Sequence, residues 1–92
     1  DTGSPVFKIQ ILTSSRPIAA NDKRLKGLKG VEHFQEGGLY KYTYGSSTDY
    51  NKVTRTKREI TPKFKDAFII AFKNGKKINV QTAIEEFKKK KK

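Results

Sequence analysis

The chain has 92 residues, enough for one domain with a single modest core, and its 21 Lys and Arg against 9 Asp and Glu give a net charge of +12. It contains no Cys and no Met, which excludes a disulfide framework, a thiolate nucleophile and a Cys-based zinc site. The longest nearly apolar run, residues 67–72, is about a third of the length that a membrane-spanning helix needs.

The N-terminal part predicts a strand followed by a short helix. In residues 6–12, apolar side chains alternate with others at the period of two that is typical of a half-buried strand. Asn21 and Asp22 then offer caps for a short helix, whose core contacts would be Leu25 and Leu28.

The next two extended runs predict a hairpin. Residues 31–35 and 39–44 favour strands two and three, and the Gly-containing link at 36–38 suits a compact turn between them. After Gly45, residues 46–49 predict a helix N-terminus with a hydroxyl cap and an acidic residue in the first turn. Apolar residues then recur at helical spacing until Pro62, which should end or kink this helix.

The C-terminal part predicts a second hairpin and a last helix. Residues 66–72 form a short apolar run read as strand four, and Asn74-Gly75 is the strongest tight-turn signal of the sequence. A short strand over residues 76–78 would pair back onto strand four. Asn79 would cap a terminal helix, followed by a fraying lysine tail at 88–92.

This element order predicts an α+β fold. We expect a ferredoxin-like βαββαβ antiparallel sheet with its helices on one face, extended by a C-terminal hairpin strand and a short helix. Residues 1–5 read as a linker or an expression remnant, residues 6–87 as one domain, and residues 88–92 as the tail. We expect a monomer.

The residue inventory argues against an enzyme. His33 is the only histidine, and the sequence has no zinc-binding, nucleophile-elbow or nucleotide-binding motif. We expect His33 to be an exposed or edge residue of strand two. The carboxylates fall on different elements and predict no converging pair. The sequence therefore predicts no catalytic residue, no metal site and no cofactor.

Strand alternation predicts which side chains share the sheet face away from the helices. If the apolar residues of strand one face the helices, Lys8, Gln10 and Leu12 lie on the open face. The same rule places Lys41 and Thr43 of strand three on that face and the three tyrosines of strand three against the helices. Open sheet faces in this architecture commonly bind extended polymers, and we expect Gln10 to be exposed there.

Two segments resemble the SPOR (sporulation-related repeat) family. Residues 7–14, Phe-Lys-Ile-Gln-Ile-Leu-Thr-Ser, resemble its first strand, whose pattern is aromatic, any residue, Val, Gln, Val, Gly, Ser, aromatic. Residues 40–45, Tyr-Lys-Tyr-Thr-Tyr-Gly, resemble its third strand, although Leu12 and Ser46 stand where the family has Gly and Pro. The stretch 7–72 fits the βαββαβ layout of the family, and residues 37–45 together with 66–72 look like the version found at the C-terminus of bacterial N-acetylmuramoyl-L-alanine amidases.

The resemblance implies a non-catalytic module of the bacterial periplasm or cell envelope. It would bind peptidoglycan glycan strands that lack stem peptides and would target an attached amidase to the septum or to sites of wall remodelling. Gln10 matches the strand-one Gln of the family and Lys41 its strand-three basic residue. The remaining predicted contacts follow from parity or loop position: Lys8, Leu12, Ser14, Thr43 and Ser47.

Two other functions stay open from the residues alone. The element order and the charge of +12 also suit a single-stranded nucleic-acid-binding module of the RNA-recognition kind. That function needs aromatic side chains on the open face, which reversed parity of strand three would supply as a platform of Tyr40, Tyr42 and Tyr44. The third possibility is an interaction module without a polymer ligand.

Overall fold

The structure, a computed structural model, describes residues 4–90. Within this range the chain forms five strands, two α-helices and one 3₁₀ turn. The strands are β1 (Val6–Ser14), β2 (Glu32–Glu36), β3 (Leu39–Ser47), β4 (Phe68–Lys73) and β5 (Lys76–Ile78). The helices are α1 (Tyr50–Ile60) and α2 (Val80–Lys90), and the 3₁₀ turn is Lys23–Leu25.

The strands form one antiparallel sheet in the order β2-β3-β1-β4-β5. Both helices lie on the same face, because the ring of Phe7 in β1 is 5.0 Å from Tyr50 of α1 and 6.2 Å from Phe87 of α2. We call this face the helical side. The predicted α+β class is confirmed.

The helix predicted around Leu25 is reduced to one 3₁₀ turn. Asp22 caps it by accepting a hydrogen bond from the Arg24 N–H at 2.8 Å, and Leu25 is buried as predicted. Lys26 and Gly27 then have φ values of 52° and 82°, in the left-handed region that stops a helix. The first crossover connection is therefore mostly irregular chain.

Both α-helices begin where the sequence predicts, and Asn79 is the predicted cap of α2, but α1 is capped by Asp49 rather than by a hydroxyl residue. Asp49 accepts hydrogen bonds from the N–H groups of Asn51 and Lys52, and α1 ends at Ile60, before Pro62. Asn79 accepts from the N–H of Thr82 at the start of α2. This helix continues through residues 88–90, so that part of the predicted lysine tail is helical, and residues 91–92 and 1–3 lie outside the described range.

Strand β3 runs three residues beyond its predicted end because a bulge lets it continue. Phe7 pairs with Ser47 but Ile9 pairs with Tyr44, so β3 contains one extra residue there. Gly45 lies in the bulge with a φ of 74°, and a Cβ at this position would lie 3.0 Å from Cγ2 of Thr56 in α1. The bulge thus allows α1 to pack closely on the sheet.

The face away from the helices is curled rather than open. Nζ of Lys77 in β5 is 3.1 Å from Oε1 of Glu36 in β2, although these are the two edge strands. On a flat sheet the two strands would be four spacings, or about 19 Å, apart, farther than both side chains together reach. The rings of Phe34 in β2 and Phe72 in β4 also meet, with centroids 5.2 Å apart. This face is therefore concave, and we call it the concave side.

Candidate functional site

Four of the seven predicted contact residues share the concave side. Gln10 pairs with Thr43 of β3. Lys8 lies two residues from Gln10, and Lys41 lies two residues from Thr43, so strand alternation places all four on one face. Their environment differs from the expected one, because the curl covers them. Gln10 is only 7% exposed and Thr43 only 2%, so the prediction that Gln10 is solvent-exposed is wrong.

Leu12 and Ser14 lie on the helical side, contrary to the prediction. Gln10 pairs with Thr43 but Leu12 already pairs with Tyr42, so Ile11 is an extra residue in β1. This bulge reverses the alternation beyond Gln10. Leu12 consequently packs against the core, and Ser14 lies opposite Tyr40 rather than beside Gln10.

Ser47 is also misplaced by the sequence prediction. It lies opposite Phe7 on the helical side, after the bulge at Gly45. Its Oγ accepts a hydrogen bond of 3.0 Å from the N–H of Asp49, immediately before α1. The geometry therefore gives Ser47 a role in the entry to the helix and no place on the concave side.

The tyrosines of β3 face the helices, as predicted from alternation. Tyr42 is buried, and its hydroxyl accepts a hydrogen bond of 2.8 Å from the N–H of Ile18. His33 is exposed on the edge strand β2, as expected, and its ring lies 5.9 Å from Tyr40 and 5.3 Å from Tyr42 on the helical side. The three tyrosines of β3 therefore do not form on the concave side the aromatic platform that single-stranded nucleic acid would need.

The lysines of the concave side are ion-paired. Lys8 lies 3.4 Å from Glu32, while Lys41 and Lys77 lie 2.5 Å and 3.1 Å from Glu36. Hydrogen bonds from Lys41 and then Lys77 hold the pKa of the Glu36 carboxyl below its ordinary value of 4.5. Because these partners neutralise much of the charge, the concave side is far less basic than the chain as a whole.

A pocket opens at one end of the concave side, between the bulge of β1 and the start of β4. Its volume is about 330 Å³, and it is lined by Gln10, Ile11, Leu12, Thr13, Asp66 and Phe68. Nε2 of Gln10 donates to Oγ1 of Thr13 at 3.3 Å. Oε1 of Gln10 is buried without a hydrogen-bond donor among the described residues.

Phe68 gives this pocket an exposed aromatic wall. Its side chain is 48% exposed although it pairs directly with the buried Gln10 across β1 and β4. Asp66 is also exposed at the rim. An exposed carboxylate and an uncovered ring can together hold a small polar molecule that has one apolar face.

Sequence reasoning missed Thr13, Asp66 and Phe68 as pocket residues. Simple alternation put Thr13 on the helical side, and only the bulge turns it toward Gln10. Phe68 was read as part of an apolar strand. The sequence offers no signal for its exposure, because the predicted strand over residues 66–72 puts Phe68 inside the strand, whereas β4 begins at Phe68.

Comparisons with protein-family models, with curated proteins and with solved structures find no match to this chain. In residues 4–90, neither helix is both long and apolar enough to cross a membrane. The same residues contain no cluster of three or more His, Cys, Asp or Glu side chains that could hold a metal ion.

Proposed function

We propose that this chain is a non-catalytic module that binds peptidoglycan glycan strands lacking stem peptides. The observation that carries the proposal is the pocket that Gln10 lines together with the exposed ring of Phe68, since the buried Oε1 of Gln10 has no hydrogen-bond donor among the described residues. A buried acceptor without a donor costs about 1–3 kcal/mol unless a ligand or an ordered water molecule donates to it.

An amino sugar has the groups that this pocket lacks. Ring hydroxyls would donate to the exposed carboxylate of Asp66. Because Oε1 of Gln10 is covered, its side chain would have to turn toward the pocket before a hydroxyl or the N–H of an acetamide group donates to it. The C–H face of a pyranose ring would pack on Phe68, which is the pocket's exposed apolar wall. The pocket has a volume of about 330 Å³, which accommodates one sugar residue but is too small for a folded peptide.

Lys8 supports a preference for strands without stem peptides. Removal of the peptide frees a lactyl carboxylate on each muramic acid. Lys8 lies two residues before Gln10 on the same face of the sheet, about 7 Å away along the strand. Its ion pair with Glu32 is long, at 3.4 Å, and Glu32 is 63% exposed, so that pair contributes little stability. Lys8 can therefore exchange Glu32 for a carboxylate of the ligand.

The strand order supports the same proposal at the level of the fold. We propose a ferredoxin-like βαββαβ arrangement of the SPOR kind, in which the 3₁₀ turn replaces the first helix and β5 and α2 are additions. By the same resemblance, the parent protein would be a cell-wall amidase of the bacterial envelope, and this module would bring it to glycan that has already been stripped.

A pulldown with purified sacculi tests the proposal. We expect retention to rise after the sacculi are digested with an amidase, and retention of single-stranded RNA at the same salt concentration to be weak. Equal retention on digested and undigested sacculi would contradict the preference for stripped strands. Retention of RNA alone would favour the nucleic-acid alternative, and retention of neither polymer would favour an interaction module.

Two glutamine variants locate the binding site. Gln10→Ala removes the amide at the pocket, and Gln35→Ala removes an exposed glutamine of β2 that lies opposite Tyr40 on the helical side. We expect Gln10→Ala to lower retention on digested sacculi at least tenfold and Gln35→Ala to leave it unchanged. Equal behaviour of the two variants would contradict a site on the concave side.

A further inference from the structure

The positive charge of the chain is concentrated on the elements of the helical side. On α1, Val53 and Ile60 are buried, whereas Lys52, Arg55 and Arg58 form an exposed stripe about 9 Å long. Exposed cations continue on both sides of this stripe, in the first crossover connection, after α1 and at the end of α2: Lys23, Lys26, Lys29, Lys63, Lys88 and Lys89.

Direct contacts join these cations into one surface. Nζ of Lys26 donates to the backbone carbonyl of Lys63 and lies 5.2 Å from the ring of Phe64, so the first crossover packs beside the end of α1. At the other end, the rings of Phe87 and Tyr50 are 6.2 Å apart, which places the last turn of α2 beside the start of α1. The basic surface thus crosses three elements.

These nine cations differ from the lysines of the concave side in their pairing. No ion pair between residues of the described range joins any of the nine to a carboxylate. Glu59 and Glu85 are the exposed acidic residues that interrupt the surface on the two helices. Unpaired cations at this density repel one another, and an anionic partner would relieve that repulsion.

We propose that the helical side docks on a bilayer surface of anionic lipids. The cations are spread over two helices and a loop, which matches a plane of headgroups. Duplex nucleic acid instead presents its phosphates as narrow ridges beside a groove, and base stacking by single strands needs exposed aromatic rings. The exposed large apolar residues of the described chain, Leu39 and Phe68, both lie on the concave side.

This inference does not depend on the proposed glycan function, but the two are compatible. The basic surface and the Gln10 pocket lie on opposite sides of the sheet, so one molecule can hold a glycan strand and a membrane surface at once.

A polybasic surface binds anionic membranes about fivefold more tightly for each added cation, and added salt screens the attraction.

Two triple variants with the same change in net charge test the proposal. Lys52→Gln, Arg55→Gln and Arg58→Gln remove the stripe on α1, and glutamine is a good helix former. Lys8→Gln, Lys41→Gln and Lys77→Gln remove three cations from the concave side. Circular dichroism and thermal unfolding establish that both variants fold before binding is measured.

The readout is co-sedimentation with phosphatidylglycerol-phosphatidylcholine vesicles and with pure phosphatidylcholine vesicles. We expect binding to the anionic vesicles only, an about 100-fold loss for the α1 variant, and less than tenfold loss for the concave-side variant. An equal loss for both variants, or equal binding to neutral vesicles, would overturn the proposal. Tighter binding to a 20-base-pair DNA duplex than to the anionic vesicles, lost in the α1 variant, would overturn it in favour of nucleic acid.

Discussion

The two sides of the sheet are covered by different means. The helical side has a continuous core in which Phe7 and Ile9 are fully buried beneath α1 and α2. The concave side is covered by the curl of the sheet, with Phe34 and Phe72 in contact across it and Glu36 joined to both Lys41 and Lys77. The difference indicates that stability comes mainly from the first side, whereas the second side places polar groups such as the Gln10 amide beside a pocket.

Truncating one aromatic ring on each side of the sheet should give the largest difference between the contributions of the two sides to stability. Phe7→Ala removes a fully buried ring that contacts both helices, and we expect it to lower the free energy of unfolding by about 3–5 kcal/mol. Phe72→Ala removes a partly buried ring, with an expected loss of about 1–2 kcal/mol. Urea denaturation measures both values, and equal losses would indicate a second full core on the concave side.

The bulge at Gly45 offers the next largest effect. Gly45→Ala adds a Cβ at a φ of 74° and 3.0 Å from Thr56, so strain and crowding should together lower stability by about 2–3 kcal/mol. Gly75→Ala is the matched control, because its φ is 80° but no atom lies within 4 Å of the added Cβ. We expect about 1 kcal/mol there by thermal unfolding. A loss at Gly45 no larger than that at Gly75 would mean that α1 does not pack closely on the bulge.

The curl predicts a coupling between two distant strands. A double-mutant cycle of Phe34→Ala and Phe72→Ala should give an interaction free energy of about 0.5–1.5 kcal/mol, since their rings meet edge to face. The corresponding cycle of Phe34 and Phe68 should give about 0 kcal/mol within the usual error of additivity. A Phe34–Phe72 coupling of zero would contradict the curled sheet.

The smallest expected effect is a pH dependence at Glu36. Its pKa is lowered by hydrogen bonds from Lys41 and Lys77, so the folded state binds its proton less readily than the unfolded state does. The stabilisation is therefore present above pH 4.5 and is lost as the pH falls through the lowered pKa. Glu36→Gln should be less stable than the parent near pH 7, and the difference should shrink below pH 4.5. An NMR titration that finds the Glu36 pKa at or above 4.5 would contradict this.

The sequence predicted the elements well because their signals are local. The caps at Asp49 and Asn79 and the turn at Asn74-Gly75 act through hydrogen bonds and φ angles within a few residues. Alternation also placed Gln10 and Thr43 correctly on one face, because the extra residue of β1 comes after Gln10 and that of β3 comes after Thr43.

The candidate site could be predicted only in part, because its geometry depends on non-local features. One extra residue, Ile11, moved Leu12 and Ser14 to the other face and brought Thr13 beside Gln10. A bulge is decided by pairing between strands and leaves little trace in alternation. The curl that buries Gln10 depends on Phe34 and Phe72, which are distant in sequence.

The most direct test of the Gln10 site is the variant Gln10→Leu, measured for both stability and binding. Leucine fills a similar volume without a buried unpaired oxygen, so we expect the free energy of unfolding to rise by about 1 kcal/mol. The affinity for amidase-digested glycan strands, measured by calorimetry, should fall at least tenfold in the same protein. A variant that binds these strands as tightly as the parent would contradict the assignment of the Gln10 pocket as the glycan site.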